Sequence, residues 1–182
     1  MKNKLYTLLL FFSSVIGLGA LLTGCSSDDD ACAGIDCLPE ATQTGEGTFG
    51  CLVNGEPFVD NSGDFNCFYQ LVDGEYYFGI QSEREVLDLV LIGIGSNRSE
   101  IIKDSVIYLN NDQPNNFYAG VNIKNLGGTL ITTNSDDGQI IFTNFNINPN
   151  IVSAEFEFTV TDPSTGTVYE ITEGRFDAQF GQ

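Results

Sequence analysis

The sequence contains no histidine and no tryptophan, and only seven of its 182 residues are lysine or arginine. Without histidine, the chain cannot form the Ser-His-Asp or Cys-His groups that activate the nucleophile in many hydrolases. The 25 acidic residues set the formal charge at −18. Such a surface repels the phosphates that a nucleic-acid-binding protein must neutralise, so we expect no nucleic-acid partner. The G-x-S-x-G, P-loop and H-E-x-x-H motifs are also missing.

Charged residues are absent from residues 5–22 as well, and this gap defines the N-terminal segment. A short basic start, an apolar middle and small residues at the end are typical of a secretory signal. The segment ends in Leu22-Thr23-Gly24-Cys25, which has the form of a lipobox. We therefore predict a cleaved signal peptide at residues 1–24 and a lipid on Cys25. The alternative is a retained transmembrane anchor, because about 18 apolar residues are the lower limit for crossing a bilayer.

A lipid on Cys25 would attach the mature chain to a membrane at its first residue. Two or three acyl chains hold a protein stably, whereas one binds marginally. Cleavage removes Lys2 and Lys4 but no acid, which leaves five basic and 25 acidic residues and a charge of −20. Because that charge disfavours docking on anionic lipid, attachment would depend on the acyl anchor. Residues 26–30, Ser-Ser-Asp-Asp-Asp, resemble the acidic segment that directs some Gram-negative lipoproteins to the outward face of the outer membrane, although such a run is also typical of a solvated linker.

Four cysteines are left once Cys25 is assigned to the lipid, and an exported chain meets an oxidising compartment. Three pairings are possible. Proximity in the sequence favours Cys32–Cys37 and Cys51–Cys67. A four-cysteine zinc site is the alternative, but the spacing is not that of paired C-x2-C motifs and no histidine is available. We expect no metal and no cofactor.

The rest of the chain divides into a tether and one domain. Residues 25–45 have few large apolar side chains, which predicts a flexible acidic tether. From residue 46 to 182, short apolar-polar alternations are separated by turn pairs such as Asn54-Gly55 and Asp73-Gly74. The apolar run Glu85 to Gly95 predicts a central strand covered on both faces, and a change of parity predicts a bulge near Glu173-Gly174. We predict an all-β fold: an antiparallel β-sandwich or partly closed barrel of about ten strands.

Two stretches resemble the opening and the close of an uncharacterised family of Gram-negative lipoprotein domains. The first is Thr48 to Gly55, and the second comprises Ile151 to Phe158 with Ile171 to Asp177. The resemblance spans about residues 46 to 180. It implies a lipoprotein and a β-rich fold, and it supplies no activity and no site residues.

Several residues are candidate sites, and none of them predicts catalysis. Glu155 and Glu157 share one strand face at the roughly 7 Å strand repeat, which permits a carboxylate pair but is typical of an exposed polar face. Asp136-Asp137-Gly138 lacks the remaining ligands of a calcium loop, and Gly93-Ile94-Gly95 is too short for a nucleotide motif. Asp104-Ser105-Val106 fits a short acceptor pattern for O-glycosylation at Ser105. The tyrosines that could replace tryptophan in sugar stacking are Tyr76, Tyr77, Tyr108 and Tyr118.

The sequence thus predicts an outer-membrane, surface-exposed lipoprotein whose domain binds an envelope protein, a glycan or a small apolar ligand without catalysis. One alternative is a lipocalin-like barrel that carries a small apolar ligand in its interior. Another is a hydrolase that uses two carboxylates in unlike environments. A closed barrel with an empty apolar cavity would favour the carrier, and a filled sandwich would favour interaction through the surface.

Overall fold

The computed structural model describes residues 32–60, 65–124, 128–133 and 136–182. The predicted signal peptide at 1–24, the predicted lipid site Cys25 and tether residues 26–31 lie outside the described residues. In the part of the chain that is described, no helix is both long and apolar enough to cross a bilayer.

The described residues form eleven strands and one short 3-10 turn, Gly34–Cys37. The strands are β1 Thr48–Val53, β2 Glu56–Asp60, β3 Asn66–Val72, β4 Glu75–Val86, β5 Leu89–Asn97, β6 Val106–Tyr108, β7 Asn116–Ile123, β8 Thr129–Ile131, β9 Gly138–Ile147, β10 Asn150–Thr161 and β11 Val168–Gln179. This confirms the all-β prediction.

Two antiparallel sheets pack face to face as a sandwich, and the strands do not close into a barrel. Sheet A has the order β2-β1-β11-β10-β9-β6, and sheet B has the order β3-β4-β5-β7-β8. The C-terminus links the two along one edge: the Tyr69 N–H donates to the Gly181 carbonyl at 2.9 Å, and the Gly181 N–H donates to the Cys67 carbonyl at 3.0 Å.

Phenylalanine rings fill the space between the sheets. Phe78 of sheet B lies 5.4 Å from Phe142 of sheet A, measured between ring centroids, and 6.2 Å from Phe176. Phe49 continues the cluster toward the β1 side and is fully buried. Because side chains occupy the interior, the sandwich has a filled core, which favours interaction through the surface over carriage of a ligand inside.

The turns follow the predicted chemistry. Asn54-Gly55 and Asp73-Gly74 join their hairpins with φ values of 49° and 86°, and of 52° and 84°. Two positive φ angles match the right-handed twist of the flanking strands, and asparagine, aspartate and glycine adopt them most readily. The predicted bulge is also present, since the pairing of β10 with β11 shifts between Phe156 and Phe158.

The predicted single strand over Glu85 to Gly95 is wrong in two respects. Leu87 and Asp88 have φ values of 49° and 67° and form the turn of a hairpin, so the run is divided between β4 and β5. The turn was not predicted because the residues around it are apolar and lack the usual turn residues. Strand β5 is indeed the middle strand of sheet B, but no strand or helix among the described residues forms a second layer over the outer face of that sheet.

Part of the predicted flexible tether is held on the domain. The carboxylate of Asp177 on β11 accepts hydrogen bonds from the Thr42 hydroxyl at 2.7 Å and from the backbone N–H groups of Thr44, Gly45 and Glu46 at 2.9–3.1 Å. The Ser153 hydroxyl donates to the same carboxylate at 2.7 Å. We call this set the Asp177 cluster. Residues 42–45 are therefore anchored to sheet A, because the buried Asp177 carboxylate accepts hydrogen bonds from their hydroxyl and backbone N–H groups.

The cysteines correct one of the two predicted disulfides. Cys32 and Cys37 are bonded, with their Cα atoms 5.1 Å apart. Cys51 and Cys67 are buried free thiols, which contradicts the predicted Cys51–Cys67 disulfide. Both side chains point inward as their parity indicated, but β1 and β3 belong to different sheets, so the two residues are not neighbours across a strand pair.

Free thiols at these positions predict a specific labelling pattern. Burial raises the pKa of the Cys67 thiol to about 12 and also raises the pKa of Cys51, so at pH 7.5 almost no thiolate is available to react. Without reductant, N-ethylmaleimide should modify neither cysteine in the native protein and both in guanidinium chloride, as measured by peptide mass spectrometry. Two unmodified cysteines in the denatured, unreduced sample would mean that they form a disulfide.

Candidate ligand-binding groove

Four glycines occupy the outward face of sheet B where neighbouring strands pair directly. Gly79 of β4 pairs with Gly95 of β5, and Gly93 of β5 pairs with Gly120 of β7. Residues adjacent to them in the sequence, such as Ile94, are buried in the core. Side chains alternate between the faces of a strand, so these four positions face outward. The middle of this face therefore lacks side chains.

Two aromatic rings cover the first glycine pair. A Cβ atom at Gly79 would lie 2.4 Å from Cε1 of Phe68, and one at Gly95 would lie 2.9 Å from Cζ of Tyr118. Phe68 and Tyr118 pair in register with these glycines from strands β3 and β7. Each half-buried ring thus reaches sideways over the neighbouring strand and lies along the sheet. This packing requires glycine at positions 79 and 95.

The second pair forms the floor of a groove, and packing does not require glycine at position 93. A Cβ atom there would meet nothing closer than the Ile80 carbonyl oxygen, at 3.5 Å. Glycine inside a strand lowers stability by roughly 0.5–1 kcal/mol relative to alanine. It often marks a place where a ligand or another backbone approaches closely. Gly93 therefore keeps the floor of the groove open. No contact within the sheet requires glycine there, although glycine lowers the stability of the strand.

The groove has a volume of about 290 Å³. Phe68 and Tyr118 border it in one row of the sheet, and Leu91 borders it in the row beyond Gly93. Its polar side chains are Asn66, Gln81, Asn122 and Thr129. No charged residue occurs among the described residues that line it. An uncharged, partly apolar groove with side-chain amides can bind a neutral ligand through ring contacts and hydrogen bonds.

The groove contains two features that the sequence analysis had singled out separately. Tyr118 was one of four candidate stacking tyrosines, and the Gly93-Ile94-Gly95 stretch was too short for a nucleotide motif. The other three candidate tyrosines do not line the groove. Tyr76 stacks on Tyr69 with centroids 4.9 Å apart, the Tyr77 hydroxyl lies 3.5 Å from a Glu75 oxygen, and Tyr108 is on β6 in sheet A.

Sequence reasoning missed Phe68, Gly79 and Gly120 as members of this groove. Each lies in a different strand, and only the register of β3, β4, β5 and β7 brings them together. The one available signal was the occurrence of glycine inside otherwise β-prone segments, which points to a bulge or a close approach without distinguishing between them.

The carboxylate pair lies on the opposite side of the sandwich. Glu155 and Glu157 border a depression of about 240 Å³ on the outer face of sheet A, together with Glu173 and Arg175. The Gln139 amide donates to Glu157 at 2.7 Å. Both glutamates are exposed. A carboxylate pair that acts as general acid and base needs two unlike environments, whereas these two side chains are both exposed on one strand face.

The remaining candidates are in turns and loops. The Asp136 carboxylate accepts hydrogen bonds from the N–H and the hydroxyl of Thr133, both at 2.8 Å, which is turn chemistry. Ser105 is half-buried just before β6, with its hydroxyl 3.5 Å from the Lys103 carbonyl, and its glycosylation stays a prediction. Across the described ranges, no three cysteine, aspartate or glutamate side chains are grouped as metal ligands would be.

The fold is an all-β sandwich, and the outer face of sheet B carries an open groove with no charged side chain among the described residues that line it. Comparison of the chain with protein-family models, with curated proteins and with solved structures gives no match.

Proposed function

We propose that this protein is a lipid-anchored binding protein of the bacterial outer membrane, attached through Cys25 and directed to the cell exterior. The lipobox at residues 22–25 and the acidic residues 26–30 support the anchor and its destination. The formal charge of −20 after cleavage leaves the acyl chains as the means of attachment, since the chain has few basic groups for anionic lipid.

The domain binds its ligand in the groove on the outer face of sheet B and performs no catalysis. The observation that carries this proposal is Gly93, which keeps the groove floor open although a side chain there would meet no close contact. The filled interior favours a surface site over carriage of a ligand inside a lipocalin-like barrel, because phenylalanine rings such as Phe78 and Phe142 occupy that space.

The anchor is tested by replacing the acylated thiol. In cells fed a labelled fatty acid, the wild-type protein should carry the label and the Cys25→Ala variant should not. Intact mass should place the wild-type N-terminus at residue 25, and protease added to intact cells should remove the domain. A wild-type chain that keeps residues 1–24, or that starts at residue 25 without fatty acid, would contradict the anchor. A domain that protease never reaches in intact cells would contradict the outward orientation.

Binding is tested on the purified lipoprotein in micelles, with glycine-selective ¹⁵N labelling. A library of neutral and acidic saccharides, fatty acids, nucleosides and short peptides should contain at least one compound that shifts the amide signals of Gly93 and Gly120. The signals of Gly55 and Gly74, in exposed hairpin turns, should not move with them. If no compound shifts the groove glycines selectively, the groove is not a binding site.

A further inference from the structure

We propose that the groove binds a neutral glycan, with sugar rings packed against Phe68 and Tyr118 and sugar hydroxyls bonded to the amides of Asn66 and Gln81. This inference rests on the proposed function, because it names the ligand of the same groove. The inference is narrower than the proposed function. Binding of an apolar, anionic or peptide ligand in the groove would agree with the proposed function but would contradict this inference.

The aromatic residues supply the apolar part of the site. Phe68 and Tyr118 reach over β4 and β5, which are adjacent strands, so their rings lie along the sheet on neighbouring strands. A pyranose ring has an apolar C–H face that packs on an aromatic ring, and its hydroxyls extend to the side. Rings held along a sheet offer contact area at low entropic cost, because the glycines beneath already fix their positions.

The amides supply the directional part. Asn66 and Gln81 pair across β3 and β4 in the row of Gly93, and both are exposed. Asn122 lies one row further along, beside Thr129. Each side-chain amide has two donors and an acceptor, so a cluster of amides can both donate to and accept from sugar hydroxyls. Thr129 already donates to the Asn122 side-chain oxygen. A fatty acid or other purely apolar ligand would displace water from the amides of Asn66 and Gln81 without replacing its hydrogen bonds, which costs binding energy.

Charge decides between neutral and ionic glycans. Twenty-five acidic residues are distributed over the chain, and the depression on sheet A is lined by three glutamates. The groove on sheet B is lined by no charged residue that the structure describes. An acidic polysaccharide or a phosphorylated ligand would be repelled by the protein as a whole and would find no lysine or arginine in the groove. A cationic ligand would find no carboxylate among the described residues that line the groove, since Glu83, which pairs with Leu91, is not one of them.

The shape of the groove agrees with a short stretch of sugar. Its volume of about 290 Å³ is near the lower end of the roughly 300–1,000 Å³ range of small-ligand sites. The groove lies on the outer face of sheet B, so a polysaccharide chain can extend beyond it along the sheet. We therefore expect one or two sugar units to contact the groove, and we expect the affinity of the groove for such a short stretch to be weak.

The test is affinity electrophoresis of the mature lipoprotein in a detergent without a sugar headgroup, in native gels that contain β-glucan, xylan, α-mannan or polygalacturonate. The wild-type protein is acidic enough to migrate well, and at least one neutral polysaccharide should retard it. Polygalacturonate should not. Gly93→Leu fills the groove where the backbone has room for a side chain, and it should weaken binding at least tenfold.

Matched variants separate the groove from general effects. Thr161→Leu adds a similar side chain at an exposed position of β10, in sheet A, and should bind like the wild type. Tyr118→Leu should lose most of the retardation, while Tyr118→Phe, which keeps the ring, should restore it. Thermal melting of each variant shows whether the fold is intact, and any that melts early is replaced by Gln81→Ala, which changes only an exposed amide.

The outcomes discriminate. Retardation by a neutral polysaccharide that Gly93→Leu abolishes and Thr161→Leu preserves would support the inference. Retardation that Gly93→Leu leaves unchanged would overturn it, and so would binding confined to polygalacturonate. If no neutral polysaccharide binds while a fatty acid or peptide shifts the Gly93 amide signal, the inference fails and the proposed binding function stands.

Discussion

Replacing Asp177 by alanine should lower the free energy of unfolding by about 2–4 kcal/mol, which is large against typical domain stabilities of about 5–15 kcal/mol. The Asp177 cluster joins a carboxylate that is 1% exposed to five donor groups, from Thr42, Thr44, Gly45, Glu46 and Ser153. Alanine would remove every one of these hydrogen bonds and would leave the buried Ser153 hydroxyl without this acceptor. Urea denaturation monitored by circular dichroism measures the loss.

Residues 42–46 should also be released from sheet A in this variant. Limited proteolysis should then cut near Thr44 faster in Asp177→Ala than in the wild type, before the domain is digested. Thr42→Val serves as the smaller change, because it removes one of the hydrogen bonds to the carboxylate and should cost about 1 kcal/mol. A stability within about 0.5 kcal/mol of the wild type would show that the Asp177 cluster does not hold the segment.

The same carboxylate should make stability depend on pH. Burial by itself raises the pKa of Asp177, but hydrogen bonds from Ser153, Thr42 and the backbone N–H groups of Glu46 and Gly45 outweigh it, so the folded-state pKa lies below its ordinary value. The contribution is therefore fully present above the unfolded pKa of about 3.9 and is lost as pH falls through the lower folded value. The difference in stability between wild type and Asp177→Asn should shrink as pH falls below 4. A constant difference would contradict this assignment.

Truncation of Phe142 should have an effect at least as large. Its side chain is fully buried and its ring lies 5.4 Å from Phe78 and 5.5 Å from Phe117, both in the other sheet. Phe142→Ala would leave a cavity between the sheets, and core Phe→Ala changes cost about 3–5 kcal/mol. We expect the urea midpoint to fall sharply, or the domain to unfold at room temperature.

Two variants show whether the loss comes from the cavity. Phe142→Leu keeps most of the volume and should cost less than half as much as the alanine change. Tyr108→Ala removes an aromatic side chain that is 76% exposed in the same sheet, and it should change stability by less than about 0.5 kcal/mol. If Phe142→Ala and Tyr108→Ala cost the same, the core is not organised around the contacts between these phenylalanines.

The anchored segment affects how the binding face would be presented. Because the Asp177 cluster holds residues 42–46 on sheet A, any flexible link to the proposed lipid on Cys25 ends before residue 42 and not at residue 45, as the composition of residues 25–45 predicts. The proposed groove is on the other sheet. The described segment 42–46 is on sheet A and so does not cover the proposed groove on sheet B.

Local chemistry was enough to predict most strands and turns. The alternation of apolar and polar side chains predicted β10 and β7. Asparagine, aspartate and glycine predicted the hairpin turns at Asn54-Gly55 and Asp73-Gly74. The change of parity before Phe176 located the bulge. These features depend on residues within a few positions of each other, so the sequence carries them directly. The turn at Leu87-Asp88 was not predicted, because apolar residues surround it in the sequence.

The sequence by itself determined the all-β class, the hairpins and the inward parity of both Cys51 and Cys67. Only the tertiary structure decided the order of strands in two sheets, the free state of those thiols, and the grouping of Phe68, Gly93 and Tyr118 into one groove. The physical reason is distance along the chain. Thr42 and Asp177 are separated by 135 positions, and no local pattern encodes contacts that form only when the register of many strands is set together.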